Sequence, residues 1–226
     1  MLHERLIAPS ILSADFARLG SQVGEVLGAG ARVIHADVMD GHFVPPITFG
    51  ALIVAALADQ VHDAGAILDV HLMIERPERH VEEFARAGAD SISVHAEATD
   101  HLHLALATIR EAGCAAGAAV CPATPAPILQ EVADDLIDIA LCMTVNPGWG
   151  AQTLIPATLG KLARMREALP SHVALEADGG VHVETVGDCV RAGANLLVTG
   201  SAVFGSGDPA AAYAEVASAA GAAPSR

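Results

Sequence analysis

The chain alternates between two periodicities. Short apolar runs of strand length fall near residues 6–12, 33–39, 67–74, 91–97, 116–121, 137–145, 173–178 and 196–200. Most of the stretches between them space their apolar residues as a helix does, as in "HVEEFARAG" and "VGDCVRAG". A triplet with a central glycine, Ala-Gly-Ala or Ala-Gly-Cys, recurs at 29–31, 64–66, 87–89, 112–114 and 192–194, each time after a helical pattern and before an apolar run. Glycine suits the position just past a helix end, where the backbone turns to positive φ. Strand, helix, strand, helix throughout is the order that a parallel sheet with crossover helices needs. Eight such units in 226 residues predict an α/β fold, a (β/α)8 TIM barrel filling the chain as one domain, with a flexible tail from about residue 219. A doubly wound open sheet is the rival, but no G-x-G-x-x-G follows the first strand and no composition break marks two halves.

Three of these strands carry polar residues on one face. In "VIHADVM", Ile34, Ala36 and Val38 take one side and His35, Asp37 and Met39 the other. "ILDVHLMI" sets Leu68, Val70, Leu72 and Ile74 against Asp69, His71 and Met73, and "VALEADGG" sets Val173, Leu175 and Ala177 against Glu176 and Asp178. An edge strand with a solvated face explains one such pattern. Three, each running into a turn or loop, fit a barrel whose outward face packs under helices and whose inward face turns chemical near the C-terminal rim. His35, Asp37, His71 and Asp178 then supply two imidazoles and two carboxylates. Such a set suits one divalent ion per chain, Zn²⁺ first, with Mn²⁺, Fe²⁺ or Co²⁺ also accommodated.

Composition narrows the partners. Twenty-seven acidic against 12 basic residues give a formal charge of -15, which argues against nucleic acid and anionic membrane and requires local groups to hold any anionic substrate. No apolar run approaches the roughly 18 residues of a membrane span, and "MLHERLIAPS" has no signal-peptide layout, so a cytoplasmic location is expected. Cys114, Cys121, Cys142 and Cys189 show no CxxC spacing and read as reduced thiols. The single lysine, Lys161, lies in the helical pattern "TLGKLARMREAL", which leaves Schiff-base chemistry without a candidate at a strand end.

The stretches "APSILSADF", "HADVMDGHFVP", "HLMIERPE", "MTVNPGWGAQ", "EADGGV" and "GSAVF", in this order from Ala8 to Phe204, resemble the ribulose-phosphate 3-epimerase family. The resemblance implies an enzyme that interconverts D-ribulose 5-phosphate and D-xylulose 5-phosphate, binds metal through His35, Asp37, His71 and Asp178, and uses Asp37 and Asp178 as its acid/base pair. Inversion at C3 takes a proton from one face, passes through a 2,3-enediolate and returns a proton to the other face, so it needs two carriers on opposite sides. Single methionines usually fill cores, but the resemblance implies that Met39, Met73 and Met143 cap the enediolate and keep water away. It also implies substrate contacts from Ser10, His71 and Asp178, and a homo-oligomer. In this fold a phosphate docks at the loops after strands 7 and 8, which points to Gly179, Gly180, Gly200 and Ser201. The loop "NPGWGAQ", with Gly148, Trp149, Gly150 and Ala151, is expected to close over the substrate.

Among the other histidines, His95 stands out because "VHAEA" echoes "VHLMI"; it is expected beside the metal site and outside the ligand set. His101 and His103 diverge on a helix. Four positions depart from the family's common pattern: Pro46 and Cys121 stand where asparagine is usual, Trp149 where phenylalanine is, and Ala151 where glycine is. Ala151 gives up easy access to positive φ. An epimerase for a ketohexose phosphate such as allulose 6-phosphate needs the same acid/base pair. A decarboxylase of the orotidine-phosphate kind needs a strand-3 lysine that "DVHLMI" lacks, and a metal-dependent aldolase would be told apart by C–C cleavage. A non-catalytic sugar-phosphate-binding homologue would be expected to have lost a carboxylate, and both are present.

Overall fold

A computed structural model describes residues 4–222. Eight parallel strands, β1 (Leu6–Pro9), β2 (Val33–Met39), β3 (Ile67–Met73), β4 (Ser91–His95), β5 (Ala115–Val120), β6 (Ile139–Met143), β7 (Ala174–Asp178) and β8 (Leu196–Thr199), follow one another around a ring in the order β1-β8-β7-β6-β5-β4-β3-β2. A parallel bridge between Ser10 and His35 joins the two ends of that order, so the ring closes where the site will lie. Helices α1 (Leu19–Gly28), α2 (Ala51–Asp63), α3 (Val81–Arg86), α4 (Leu102–Glu111), α5 (Ala157–Ala168), α6 (Val186–Arg191), the short α7 (Ser201–Phe204) and α8 (Pro209–Ala220) make the crossovers and the outer layer. The (β/α)8 barrel expected from the alternation is the fold.

The period of two along each strand sends apolar residues both under the helices and into the barrel. The outward set Ile34, Ala36, Val38, Leu68, Val70, Leu72, Leu175 and Ala177 is buried under the helices in one continuous cluster. Each fully buried aliphatic side chain there contributes about 1.5–3 kcal/mol of transfer free energy. Leu6, Ala8, Val33, Leu196 and Val198 pack together inside the barrel, from Leu6 and Leu196 where β1 and β8 begin up to Val198, which lies level with Asp178 and lines the cavity above. The glycines of the five triplets, Gly30, Gly65, Gly88, Gly113 and Gly193, all take positive φ, between 70° and 102°.

The differences from expectation have local causes. β1 stops at Pro9 because the Ser10 side chain accepts from the Leu12 N–H and starts a 3-10 turn over Ile11–Ser13. The crossover after β5 is a seven-residue 3-10 helix, Ala126–Val132, and not an α-helix. Pro125 caps its start and Pro127 lies in its first turn, where a helix leaves its N–H groups unpaired and proline is tolerated. α8 continues to Ala220 and is capped by Gly221 at φ 63°, so residue 219, where the tail was expected to begin, is still helical; residues 223–226 lie outside the described residues. No described helix is long and apolar enough to cross a membrane.

Candidate active site

Strand register builds the floor of the site. β2 and β3 pair His35 with Asp69, Asp37 with His71 and Met39 with Met73, so the inward polar residues of the two strands lie side by side. β7 brings Asp178 between Met143 of β6 and Val198 of β8. Asp37 Oδ1 lies 3.2 Å from His35 Nε2 and 3.1 Å from His71 Nδ1, while its Oδ2 accepts from Ser10 Oγ at 2.5 Å. His71 Nδ1 is also 3.4 Å from Asp178 Oδ2. Metal–ligand bonds of about 2.0–2.2 Å at a tetrahedral angle put neighbouring N and O donors about 3.3–3.5 Å apart. The donor atoms of His35, Asp37, His71 and Asp178 all lie within 4.8 Å of one another and are all buried, so the four residues fit a divalent ion.

A lower layer orients these groups. His35 Nδ1 lies 2.7 Å from Asp69 Oδ2, and Asp69 Oδ1 accepts from Ser91 Oγ at 2.5 Å. An ion at the centre would take the His35 Nε2 lone pair and leave the Nδ1–H donating to Asp69. Glu176 Oε1 is 3.5 Å from His35 Nδ1. Burial, and then the Asp69 charge beside it, raise the Glu176 carboxyl well above the ordinary carboxylate range. On the other side, His71 Nε2 meets His95 Nε2 at 2.9 Å, His95 Nδ1 meets Glu97 Oε2 at 3.1 Å, and Glu97 Oε1 accepts from the Cys121 N–H at 2.7 Å. One direction of donation satisfies the chain: His71 Nε2–H to His95, then His95 Nδ1–H to Glu97. That direction leaves His71 Nδ1 free for the centre. Burial holds His95 down at about 4, so it stays neutral near pH 7.

The two central carboxyls are pushed apart. Burial pulls Asp37 upward, but the imidazoles of His35 and His71 outweigh it and hold the carboxyl far below its ordinary value. Asp178 is raised, first by burial and then by the Asp37 charge. Two carboxyls whose surroundings separate their proton affinities can act one as base and one as acid.

Above this floor opens a cavity of about 390 Å³. Ser10, Asp37, Asp178, Met39, Met73 and Met143 form its base; Gly148, Trp149, Gly150 and Ala151 form one wall; Gly179, Gly180, Gly200 and Ser201 form the far end. His35 and His71 lie beneath it, wholly buried. His71, expected among the substrate-binding residues, is not among the residues that line the cavity. Gly180 has φ 67°, and a Cβ there would sit 2.4 Å from the Leu154 nitrogen, so the backbone approach at this end admits no side chain. The wall loop is stitched by Gln152 Nε2, which donates to the Asn146 and Trp149 carbonyls at 2.7 and 2.8 Å.

Comparison with known proteins decides the family. Residues 6–204 match the Ribulose-phosphate 3 epimerase family model. The ribulose-phosphate 3-epimerase of Bacillus subtilis (strain 168) is 50% identical over 214 residues, 93% of this chain and 97% of that protein. That of Escherichia coli (strain K12) is 47% identical over 206 residues, 90% of each. The chain belongs to the ribulose-phosphate 3-epimerase family. It is an epimerase of phosphorylated sugars with a cluster suited to one metal ion. Among solved structures, a 3-hexulose-6-phosphate synthase aligns with a TM-score of 0.72 at 22% identity, covering 95% of this chain and 98% of its own. KGPDC from Streptococcus mutans in complex with D-R5P aligns at 0.74 and 15%, covering 95% and 96%. These two share the barrel.

Three of the departures from the family pattern have a place in the epimerase fold. Ala151 adopts φ 58°, the left-handed backbone that a glycine takes freely and an alanine takes at about 1–2 kcal/mol. Pro46 packs against the wall loop, with its Cδ 3.6 Å from the point where a Gly148 Cβ would lie. Cys121 turns its thiol to within 3.6 Å of His95 Nδ1. Sequence reasoning missed Ser13 and His182, which also line the cavity. Ser13 Oγ stands between the two loops, 3.4 Å from a Cβ built on Gly150 and 2.7 Å from one built on Gly200. His182 follows the Gly179-Gly180 pair by two residues, a proximity that the sequence displayed.

Proposed function

We propose that the chain interconverts D-ribulose 5-phosphate and D-xylulose 5-phosphate by inverting C3, with Asp37 and Asp178 as the two proton carriers. In this reading His35, Asp37, His71 and Asp178 hold one divalent ion, Zn²⁺ first among those that the donor set suits. The supporting observation is that Asp37 and Asp178 arrive from β2 and β7, on separate arcs of the barrel, yet flank the same His71 Nδ1 at 3.1 and 3.4 Å beneath the cavity. When bound, the ion supplies positive charge near the ketone and enediolate oxygens.

The chain's own residues do the rest. The ionised carboxylate takes the C3 proton from one face, and the other carboxyl returns one to the opposite face; in the reverse direction the roles exchange. Ser10 holds Asp37 Oδ2 at 2.5 Å and so fixes which oxygen is offered upward. Met39, Met73 and Met143, all nearly inaccessible, give the enediolate an apolar lining that keeps water from it. Gly179, Gly180, Gly200 and Ser201 offer backbone at the far end of the cavity for the phosphate, which lets a chain of charge -15 hold an anion. The binding energy of that phosphate then positions C3 between the carboxyls.

The test is an epimerisation assay with both pentulose phosphates and with allulose 6-phosphate, before and after chelation. Activity on the pentulose phosphates, lost on chelation and restored by one equivalent of Zn²⁺ per chain, is expected. Full activity in protein holding less than about a tenth of an ion per chain would overturn the metal half of the reading.

A further inference from the structure

The relay behind His71 ends in three donor atoms of different chemistry; the epimerase reading uses His95 and Glu97 only to orient His71, and Cys121 Sγ not at all. His95 closes β4, Glu97 follows it in the next loop, and Cys121 follows the end of β5, the neighbouring strand. His95 Nδ1 is 3.1 Å from Glu97 Oε2 and 3.6 Å from Cys121 Sγ, and donor atoms of all three lie within 4.8 Å of one another. A tetrahedral ion with bonds of about 2.0–2.2 Å to N and O and about 2.3 Å to S would hold its N and O about 3.3–3.4 Å apart and its N and S about 3.5 Å apart. The observed spacings are close to both. The cluster is also held from outside. The Cys121 N–H fixes Glu97 Oε1 at 2.7 Å and so turns Oε2 toward His95; the Lys161 ammonium donates to the Cys121 carbonyl at 2.7 Å; the Phe43 ring covers His95 with centroids 4.8 Å apart. The Glu97 side chain retains 24% exposure, which leaves a path from solvent.

We propose that His95, Glu97 and Cys121 form a second metal site, selective for a thiophilic divalent ion such as Cd²⁺ or excess Zn²⁺, and that filling it loosens the first site. The selectivity comes from the thiolate, which soft ions prefer. The antagonism rests on reading His35, Asp37, His71 and Asp178 as the first site, and it passes through the 2.9 Å contact between His71 Nε2 and His95 Nε2. An ion on His71 Nδ1 leaves that ring's hydrogen on Nε2, donating to His95. An ion on His95 Nδ1 leaves the His95 hydrogen on Nε2 as well, and the two N–H groups then face each other. The hydrogen bond that orients His71 is lost.

The test titrates Cd²⁺ into protein carrying one equivalent of Zn²⁺, in wild type, Cys121→Ser and Cys121→Asn. Two readouts are followed: the ultraviolet charge-transfer absorption of a cadmium–thiolate bond, and Zn²⁺ released to a chromophoric chelator. In wild type the absorption should saturate at one Cd²⁺ per chain, and Zn²⁺ should leave about tenfold more readily than from either variant. No thiolate absorption in wild type, or equal absorption in the variants, overturns the site. Thiolate absorption with the same Zn²⁺ release in all three proteins overturns the antagonism. The absorption is read whether or not the first site holds its ion, so failure of the epimerase metal reading and failure of this one are separable.

Discussion

The floor and the mouth of the cavity are built in opposite ways. The floor is made of side chains on strands, set by register and tied to partners at 2.5–3.2 Å, as with Ser10, His35, Asp37 and Asp69. The mouth is made of backbone on loops after β6, β7 and β8, with positive φ at Gly148, Ala151, Gly179 and Gly180. Proton transfer at one carbon needs atoms fixed to a fraction of an ångström, and strands provide that. Gripping a phosphate needs close approach of N–H groups, and side chains are in the way. A floor substitution should therefore act on the chemical step, and a mouth substitution on binding.

The largest effect expected is at the floor. Asp37→Asn and Asp178→Asn, in protein shown by elemental analysis to retain its ion, should each lower kcat for inversion by about 10²- to 10⁴-fold with little change in KM. His95→Ala comes next, since it removes the acceptor that orients His71: metal affinity should fall by about 10- to 100-fold, read by competition with a chelator. At the mouth, Gly180→Ala forces a Cβ to within 2.4 Å of the Leu154 nitrogen. Its kcat/KM should drop by about tenfold or more, mainly through KM and less for a pentulose without phosphate. A fall in kcat alone would erase the contrast between floor and mouth. The smallest effect is at Ala151. Ala151→Gly relieves a left-handed alanine but frees the unfolded chain, so stability should stay level or rise by up to about 1 kcal/mol in thermal denaturation. A clear loss would mean that the alanine is comfortable where it is.

The same contrast explains what could be read from the sequence. The barrel was legible because strand and helix periods alternate and because the five glycine triplets mark helix ends. The floor was legible because histidine and aspartate are out of place on the inward face of an apolar strand. Depth was not legible: alternation assigns His71 to a face but does not say that Asp37 and Asp178 cover it. Nor was the upward push on the Glu176 carboxyl, which comes from its burial and from the Asp69 charge beside it. The mouth was expected from the fold, whose phosphate loops follow strands 7 and 8, and not from residue chemistry, because glycines in loops carry little chemical signature and Ser13 carries none.

The central claim is that two carboxyls serve opposite faces of C3, and the C3 label tests it most directly. D-Ribulose 5-phosphate deuterated at C3 should give D-xylulose 5-phosphate that carries hydrogen there, because the group that takes the deuteron is not the group that returns a proton. In metal-loaded Asp178→Asn, one epimer should still exchange its C3 label with water while inversion fails. Product that keeps the deuterium, or near wild-type inversion in both asparagine variants with the ion bound, would contradict the account.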